Sequence, residues 1–181
     1  MPEINKQDSI NNLNCFTRWE FFSKLINDNG YKNIVEVGMY AGEMAFELIK
    51  NKNIDNYIMI DNNPNTEFYS FLSKLPNNIG IDRKYIFMKM KSIEASKFFP
   101  DNSLDLVFID ADHSYESVLN DIKNWFPKVK KGGIISGHDY EHPSFYGVKK
   151  AVDEFFGNKK FNLETDMAGE SLSVKIWWKK I

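Results

Sequence analysis

Residues 34–42 read Ile34-Val35-Glu36-Val37-Gly38-Met39-Tyr40-Ala41-Gly42. A short apolar run stops at a glycine, and Met44, Ala45, Leu48 and Ile49 follow at helical spacing. A strand that turns through glycine into a helix opens an α/β sheet. The unit repeats downstream. Tyr57–Ile60 stops at Asp61, Tyr85–Met88 makes a third strand, and Leu104–Ile109 stops at Asp110. A short fifth strand, Ile134-Ile135, leads into Ser136-Gly137-His138-Asp139-Tyr140. Between them, Thr66–Leu75 reads as a helix with Phe68, Phe71, Leu72 and Leu75 on one side. Tyr115, Val118, Leu119, Ile122, Trp125 and Phe126 form one apolar stripe, with Ser114 as N-cap and Gly132-Gly133 as its stop. Val148, Val152, Phe155 and Phe156 form another, ended by Gly157. Phe161–Glu164 and Leu172–Trp178 are strand-like runs around a turn near Ala168-Gly169; no helix fits between them, which predicts antiparallel neighbours. Phe16, Trp19, Phe22 and Ile26 give an N-terminal helix one apolar side.

The chain has 181 residues, 43% hydrophobic and 27% charged, which fits one globular domain. It divides into an N-terminal helical segment, residues 1–30, packing on a core of residues 31–181. A formal net charge of -2 argues against a protein that grips nucleic acid through its phosphates. No apolar run reaches the length of a membrane span. Met1 to Asn14 is polar and carries acids, unlike a signal peptide, and the expected location is cytoplasmic. The single cysteine, Cys15, excludes an internal disulfide and a zinc cluster of several thiolates. Trp125, Trp177 and Trp178 lie in helix or strand patterns and are expected in the core.

In a parallel sheet, ligands bind outside the carboxyl ends of the strands, where the strand order reverses. Gly38, Asp61, Asp110 and Asp139 all follow strands and should face one crevice. The first turn is E-x-G-x-x-x-G, not the G-x-G-x-x-G of a dinucleotide site. Glu36 would repel a pyrophosphate and suits a ligand carrying positive charge. An acid at Asp61 can accept hydrogen bonds from both ribose hydroxyls of an adenosine. Asp110, Asp112, His113, His138 and Asp139 crowd two neighbouring strand ends. So many acids repel one another, and a bound cation is the simplest compensation.

The glycine turn resembles the first motif of class I S-adenosylmethionine-dependent methyltransferases. The D-x-x-H of Asp110 to His113, the G-G-x-x-x-x-H-D-Y of Gly132 to Tyr140 and the G-V-x-x-A-V of Gly147 to Val152 resemble the metal-dependent O-methyltransferase branch, including macrolide-sugar and other natural-product enzymes. The resemblance runs from about Asn33 to Phe156. It implies a Rossmann-like seven-stranded methyltransferase fold, mostly parallel with an antiparallel last strand. S-adenosylmethionine would be held by Glu36, Gly38, Met39, Tyr40, Gly42, Asp61, Asn62, Ser92, Ile93 and Asp110. Asp110, His138 and Asp139 would hold Mg²⁺ or Mn²⁺, and His113, with a pKa near neutrality, would be the general base. Two departures stand out. Met44 replaces a small hydroxyl residue, and His138 replaces a carboxylate: either the cation is Mn²⁺, Fe²⁺ or Zn²⁺ rather than Mg²⁺, or His138 stands behind the ligands, or the cation is lost. The implied reaction is methyl transfer to a hydroxyl of a small molecule or sugar, with no nucleic acid or membrane partner. A short chain leaves the site open or completed in a homo-oligomer. The alternative is a non-catalytic nucleotide- or S-adenosylmethionine-binding module.

Overall fold

The protein is described by a computed structural model over residues 17–63, 84–157, 160–167 and 174–181. Its strands are β1 (Asn33–Val37), β2 (Asn56–Ile60), β3 (Lys84–Met88), β4 (Leu104–Ile109), β5 (Val129–Tyr140), β6 (Asn162–Asp166) and β7 (Val174–Lys180). The helices are α1 (Arg18–Asn29), α2 (Glu43–Leu48), α3 (Ser92–Ser96), α4 (Tyr115–Trp125) and α5 (Tyr146–Phe156). Cys15, Phe16, the helix expected over Thr66–Leu75 and the turn near Ala168-Gly169 lie outside the described residues.

The seven strands form one sheet in the order β3-β2-β1-β4-β5-β7-β6. β1 to β5 pair in parallel, and β7 runs against both β5 and β6. The chain moves outward from β1 to β3, then returns to the other side of β1 with β4, so the order reverses between β1 and β4. Alternating side chains feed two cores. Ile34, Tyr57, Phe108 and Trp178 join Phe21, Phe22, Leu25 and Ile26 of α1 on one face. Val35, Val37, Ile109 and Trp177 join Ile122 and Trp125 of α4 and Val152 of α5 on the other. All the expected core tryptophans are buried. Thr17 caps α1 by accepting from the Glu20 N–H, and Gly30 ends it at φ 66°.

The register aligns the strand ends. Val37 sits opposite Ile60 and Ile109, and Ile109 opposite Gly137. The next residues along, Gly38, Asp61, Asp110 and His138, therefore form one row across the carboxyl edge. The Gly38 N–H donates to Ile60 O (2.8 Å) and the Asp110 N–H to Val37 O (2.7 Å), which ties the row together.

Two expectations change. Gly132-Gly133 does not stop α4. That helix ends at Trp125, where Pro127 lacks the N–H to continue it, and a 3-10 turn over Phe126–Lys128 leads directly into β5. Both glycines lie inside a twelve-residue strand instead, Gly132 at φ 82°. His138 and Asp139 accordingly do not lie past the end of β5 but within it. Between the pairs Gly137–Trp177 and Tyr140–Lys175, two residues of β5 oppose one of β7. This bulge puts Asp139 at φ 56° and re-aims both side chains.

Gly38 has φ 81°, and a Cβ there would come within 2.1 Å of Asp110 O. Gly38→Ala should destabilise the fold by about 2–3 kcal/mol, read from urea denaturation, because strain and a backbone clash combine.

Candidate active site

A cleft of about 970 Å³ opens at the carboxyl edge of the sheet. Glu36, Gly38, Met39, Tyr40, Asp61, Asn62, Ser92, Ile93, Asp110 and His113 all line it. Gly42, His138 and Asp139 do not. Gly42 turns the chain into α2 at φ 80°, and its N–H donates to Met39 O (2.6 Å). His138 and Asp139 stand behind Asp110 and His113, both largely buried.

The cleft has two ends. At the glycine turn, Asp61 Oδ2 accepts from the N–H groups of Met39 (3.1 Å) and Tyr40 (3.3 Å), and Oδ1 from that of Asn63 (2.8 Å). The carboxylate thus holds the turn in shape and keeps only its remaining lone pairs for a ligand. Glu36 is buried in β1 and accepts from the Tyr57 hydroxyl (2.6 Å). Burial drives its pKa up to about 8, against the Tyr57 hydrogen bond and the Arg18 charge, with Asp110 and Asp61 pushing it further. Burial thus favours the protonated form of Glu36, and a positive partner favours the ionised one. Across the cleft, Ser92 at the start of α3 donates to Asp121 (2.5 Å) and accepts from Trp125 Nε1 (2.8 Å). Burial, eased by the Ser92 bond, raises Asp121 to about 6.

At the other end is the acid and imidazole cluster. His113 Nε2 lies 2.8 Å from Asp139 Oδ2 and 3.4 Å from Asp110 Oδ1. His138 Nδ1 lies 3.4 Å from Asp139 Oδ1 and 3.9 Å from Asp110 Oδ2. Burial works against both imidazolium ions, but hydrogen bonds and charges of the surrounding acids win. His113, bonded to Asp110 and Asp139, and His138, bonded to Asp139 and Asp166, both rise to about 9. Asp139 is the counterpart: burial disfavours its charge, yet the two imidazoles hold its pKa well below the usual carboxylate range. A near-neutral pKa for His113, expected from the sequence, does not hold in this charge-compensated state, because two carboxylates face one ring nitrogen.

Do these residues fit a divalent cation? Donor atoms of Asp110, His113 and Asp139 lie within 4.8 Å of one another, and His138 presents Nδ1 to the same two acids. Two carboxylates with one or two imidazoles is a donor set suited to Mn²⁺, Fe²⁺ or Zn²⁺, so the residues fit.

Two participants, Phe145 and Arg18, escape a reading of the sequence, and a third, Gly147, shows there only as the first residue of the G-V-x-x-A-V run. Phe145 is sandwiched between His113 (ring centroids 4.1 Å apart) and His142 (4.3 Å), which fixes the plane of the His113 ring. Gly147 opens α5 against the same turn, where a Cβ would meet Tyr115 N at 2.4 Å and His113 O at 2.6 Å. That contact gives the G-V-x-x-A-V run its physical reason. Arg18, at the start of α1, reaches the cleft and bridges Asp166 (3.2 Å) and Glu43 (3.3 Å). Its only mark in the sequence is that it is one of two arginines.

A protein family described as a methyltransferase domain matches residues 35–140, more than half of the chain. An uncharacterised protein of Acanthamoeba polyphaga mimivirus is 30% identical over 112 residues, 59% of this chain and 51% of that one. The chain thus matches about half the length of that relative. Among solved structures, a Staphylococcus aureus protein provisionally described as a caffeoyl-CoA O-methyltransferase superposes with a TM-score of 0.68, at 14% identity, covering 97% of this chain and 90% of that one. The O-methyltransferase TomG of Streptomyces achromogenes, solved with S-adenosylmethionine, superposes at 0.64 and 10% identity, covering 90% and 79%. Among the described residues, no helix is long and apolar enough to cross a membrane.

His113 and His138 contribute stability through their raised pKa values. That contribution is complete below about pH 6.5, the unfolded value, and is lost as pH rises through about 9. In chelator, the melting temperature should fall between those limits, and His113→Asn should flatten the fall.

Proposed function

The chain belongs to the methyltransferase-domain family, whose methyl donor is S-adenosylmethionine, and from that premise we propose that it methylates a hydroxyl oxygen of a small molecule or sugar with help from a divalent cation. The observation that carries this reading is the cluster at the end of β4 and β5. His113 and Asp110 stand on the wall of the cleft that the glycine turn opens, with the Asp139 carboxylate behind them against the same His113 nitrogen.

When bound, S-adenosylmethionine supplies the methyl group and leaves as a neutral thioether. Gly38, Met39 and Tyr40 would lie along its amino acid portion. The ammonium of that portion gives buried Glu36 the positive partner that favours its ionised form. Asp61, already fixed by the turn, would take the ribose, and Ser92 and Ile93 the adenine. A divalent cation held by Asp110 and Asp139, with His138 behind them, would lower the pKa of an acceptor hydroxyl and orient it.

The chain's own part is alignment and proton removal. His113 lines the main cleft and also a second, open cavity of about 760 Å³ with Ser114, Ser144, Phe145 and Tyr146. The acceptor would enter from that side, with the exposed Tyr146 ring as a surface for it. Nε2 of His113 faces the acids, so it is the nitrogen placed to take the hydroxyl proton. It does so only once its own proton has gone. Asp110 and Asp139 hold that proton, and carboxylates engaged by a cation would hold it less firmly. The Phe145 sandwich keeps the ring aimed throughout.

Binding of S-adenosylhomocysteine, measured by calorimetry, should weaken by about 1.5–3 kcal/mol in Asp61→Ala, the range for hydrogen bonds to a charged group. Tight NADH binding without response to the adenosyl ligand would exclude this cofactor. With an accepted hydroxyl substrate, His113→Ala should cut kcat by about 10²–10⁴-fold while leaving S-adenosylhomocysteine affinity nearly unchanged. Asp110→Asn and Asp139→Asn should each lose activity, chelation should do the same, and Mn²⁺ should restore more than Mg²⁺. Full turnover in chelator would remove the cation from the reading. Binding of the adenosyl ligand with no turnover on any hydroxylated acceptor would favour a binding module instead.

A further inference from the structure

Asp166 belongs to β6, near the end of the chain, yet it reaches the cluster from behind. It is buried, 2% exposed. His138 Nε2 lies 3.0 Å from its Oδ2. Its Oδ1 accepts from the first N–H of α1, that of Arg18 (2.9 Å), and its Oδ2 also accepts from Arg18 Nη1 (3.2 Å). The carboxylate is thus fixed on two sides by α1 before it meets the imidazole. Both His138 and Asp166 side chains are nearly closed to solvent, so this arrangement has little freedom.

An imidazole that ligates a cation must offer one lone pair, and the partner of its other nitrogen decides which. A carboxylate accepts only, so the nitrogen beside it carries the proton. We propose that Asp166 is a positioning residue: it keeps the proton on His138 Nε2 and leaves Nδ1, facing Asp110 and Asp139, as the nitrogen donor to a divalent cation. This rests on the cation part of the function proposed above. It assigns the cause of the metal preference to a residue 28 positions away in sequence. It also gives the N-terminal helix a role in the site, because Arg18 holds Asp166 in place.

The test uses the full chain. Long-range proton–nitrogen correlation spectra of ¹⁵N-histidine protein with Zn²⁺ should show His138 protonated at Nε2 and metal-bound at Nδ1, the resonance being identified by its loss in His138→Gln. In calorimetry, Asp166→Asn should weaken Mn²⁺ binding by about 10–100-fold, the usual cost of losing such a partner. Its advantage for Mn²⁺ over Mg²⁺ should shrink, while S-adenosylhomocysteine affinity holds. Because Asp166 acts through His138, the double variant should lose no more than His138→Gln alone. Losses that add, wild-type Mn²⁺ affinity in Asp166→Asn, or a wild type that binds no Mn²⁺ would each overturn the proposal. If Asp166→Asn does not fold, the wild-type spectrum decides: a proton on Nδ1 with Nε2 bare in the Zn²⁺ form overturns it. None of these readouts depends on methyl transfer, so failure to find an acceptor is a separate result.

Discussion

Asp110 and Asp139 come from neighbouring strands and turn their carboxylates toward the same imidazole. That concentration of negative charge is the constraint around which the carboxyl edge of the sheet is built. Two unit charges about 4 Å apart interact by about 4 kcal/mol at the effective dielectric of a partly exposed site. Repulsion of that size is comparable to much of a domain's net stability, so positive charge has to be present. The protein supplies it from three directions: His113 from the turn before α4, His138 from the bulge in β5, and Arg18 from the start of α1. Without ligands, protonated imidazoles balance the acids. A divalent cation held there would meet the same electrostatic demand as the two ring protons, and in the proposed reaction its binding would free a base.

The fold provides the place rather than the charge. Parallel pairing in register delivers Gly38, Asp61, Asp110 and His138 to one edge, and the reversal of strand order beside β1 leaves a crevice there. The row is then modified locally. A bulge between Gly137 and Tyr140 turns Asp139 into the left-handed region and lets two consecutive residues serve one cluster. Left-handed backbone at an aspartate costs of order 1–2 kcal/mol, and its two imidazole contacts offset it. Gly147 and Phe145 act from outside the sheet, one by admitting α5 close to the His113 backbone, the other by stacking on its ring.

How much of this was legible follows from the range of each interaction. Strands, helices and strand-end acids announce themselves through period, glycine and local spacing, and Gly38, Asp61 and Asp110 stand just past the strands that those signals mark. Gly132-Gly133 looks like a stop that leaves β5 only Ile134-Ile135, whereas β4 pairs on both sides of the glycines, Leu104 with Val129 and Leu106 with Ile134, and carries the strand through. The five residues of α3 are too few to show a period. Arg18 and Asp166 are 148 residues apart and meet only after both sheet and N-terminal helix have formed. The pKa of His113 is hidden from the sequence for the same reason: it belongs to three side chains brought together by tertiary structure, not to an imidazole in a turn.

Arg18 joins the two ends of the cleft. It bridges Glu43, at the start of α2 beside the glycine turn, and Asp166, behind the metal-ligand candidates. It also feels the charges of Asp110 and Glu36. Asp110 and Asp166 act on it more strongly than Glu36 does. A cationic ligand at the turn favours ionised Glu36 and supplies its own countercharge, so Arg18 need not move and the cluster keeps its support. An anionic ligand there would instead draw on Arg18 and weaken the balance around Asp110. A buried glutamate that favours a cationic ligand at the turn would thereby leave the charge arrangement at the other end of the cleft intact.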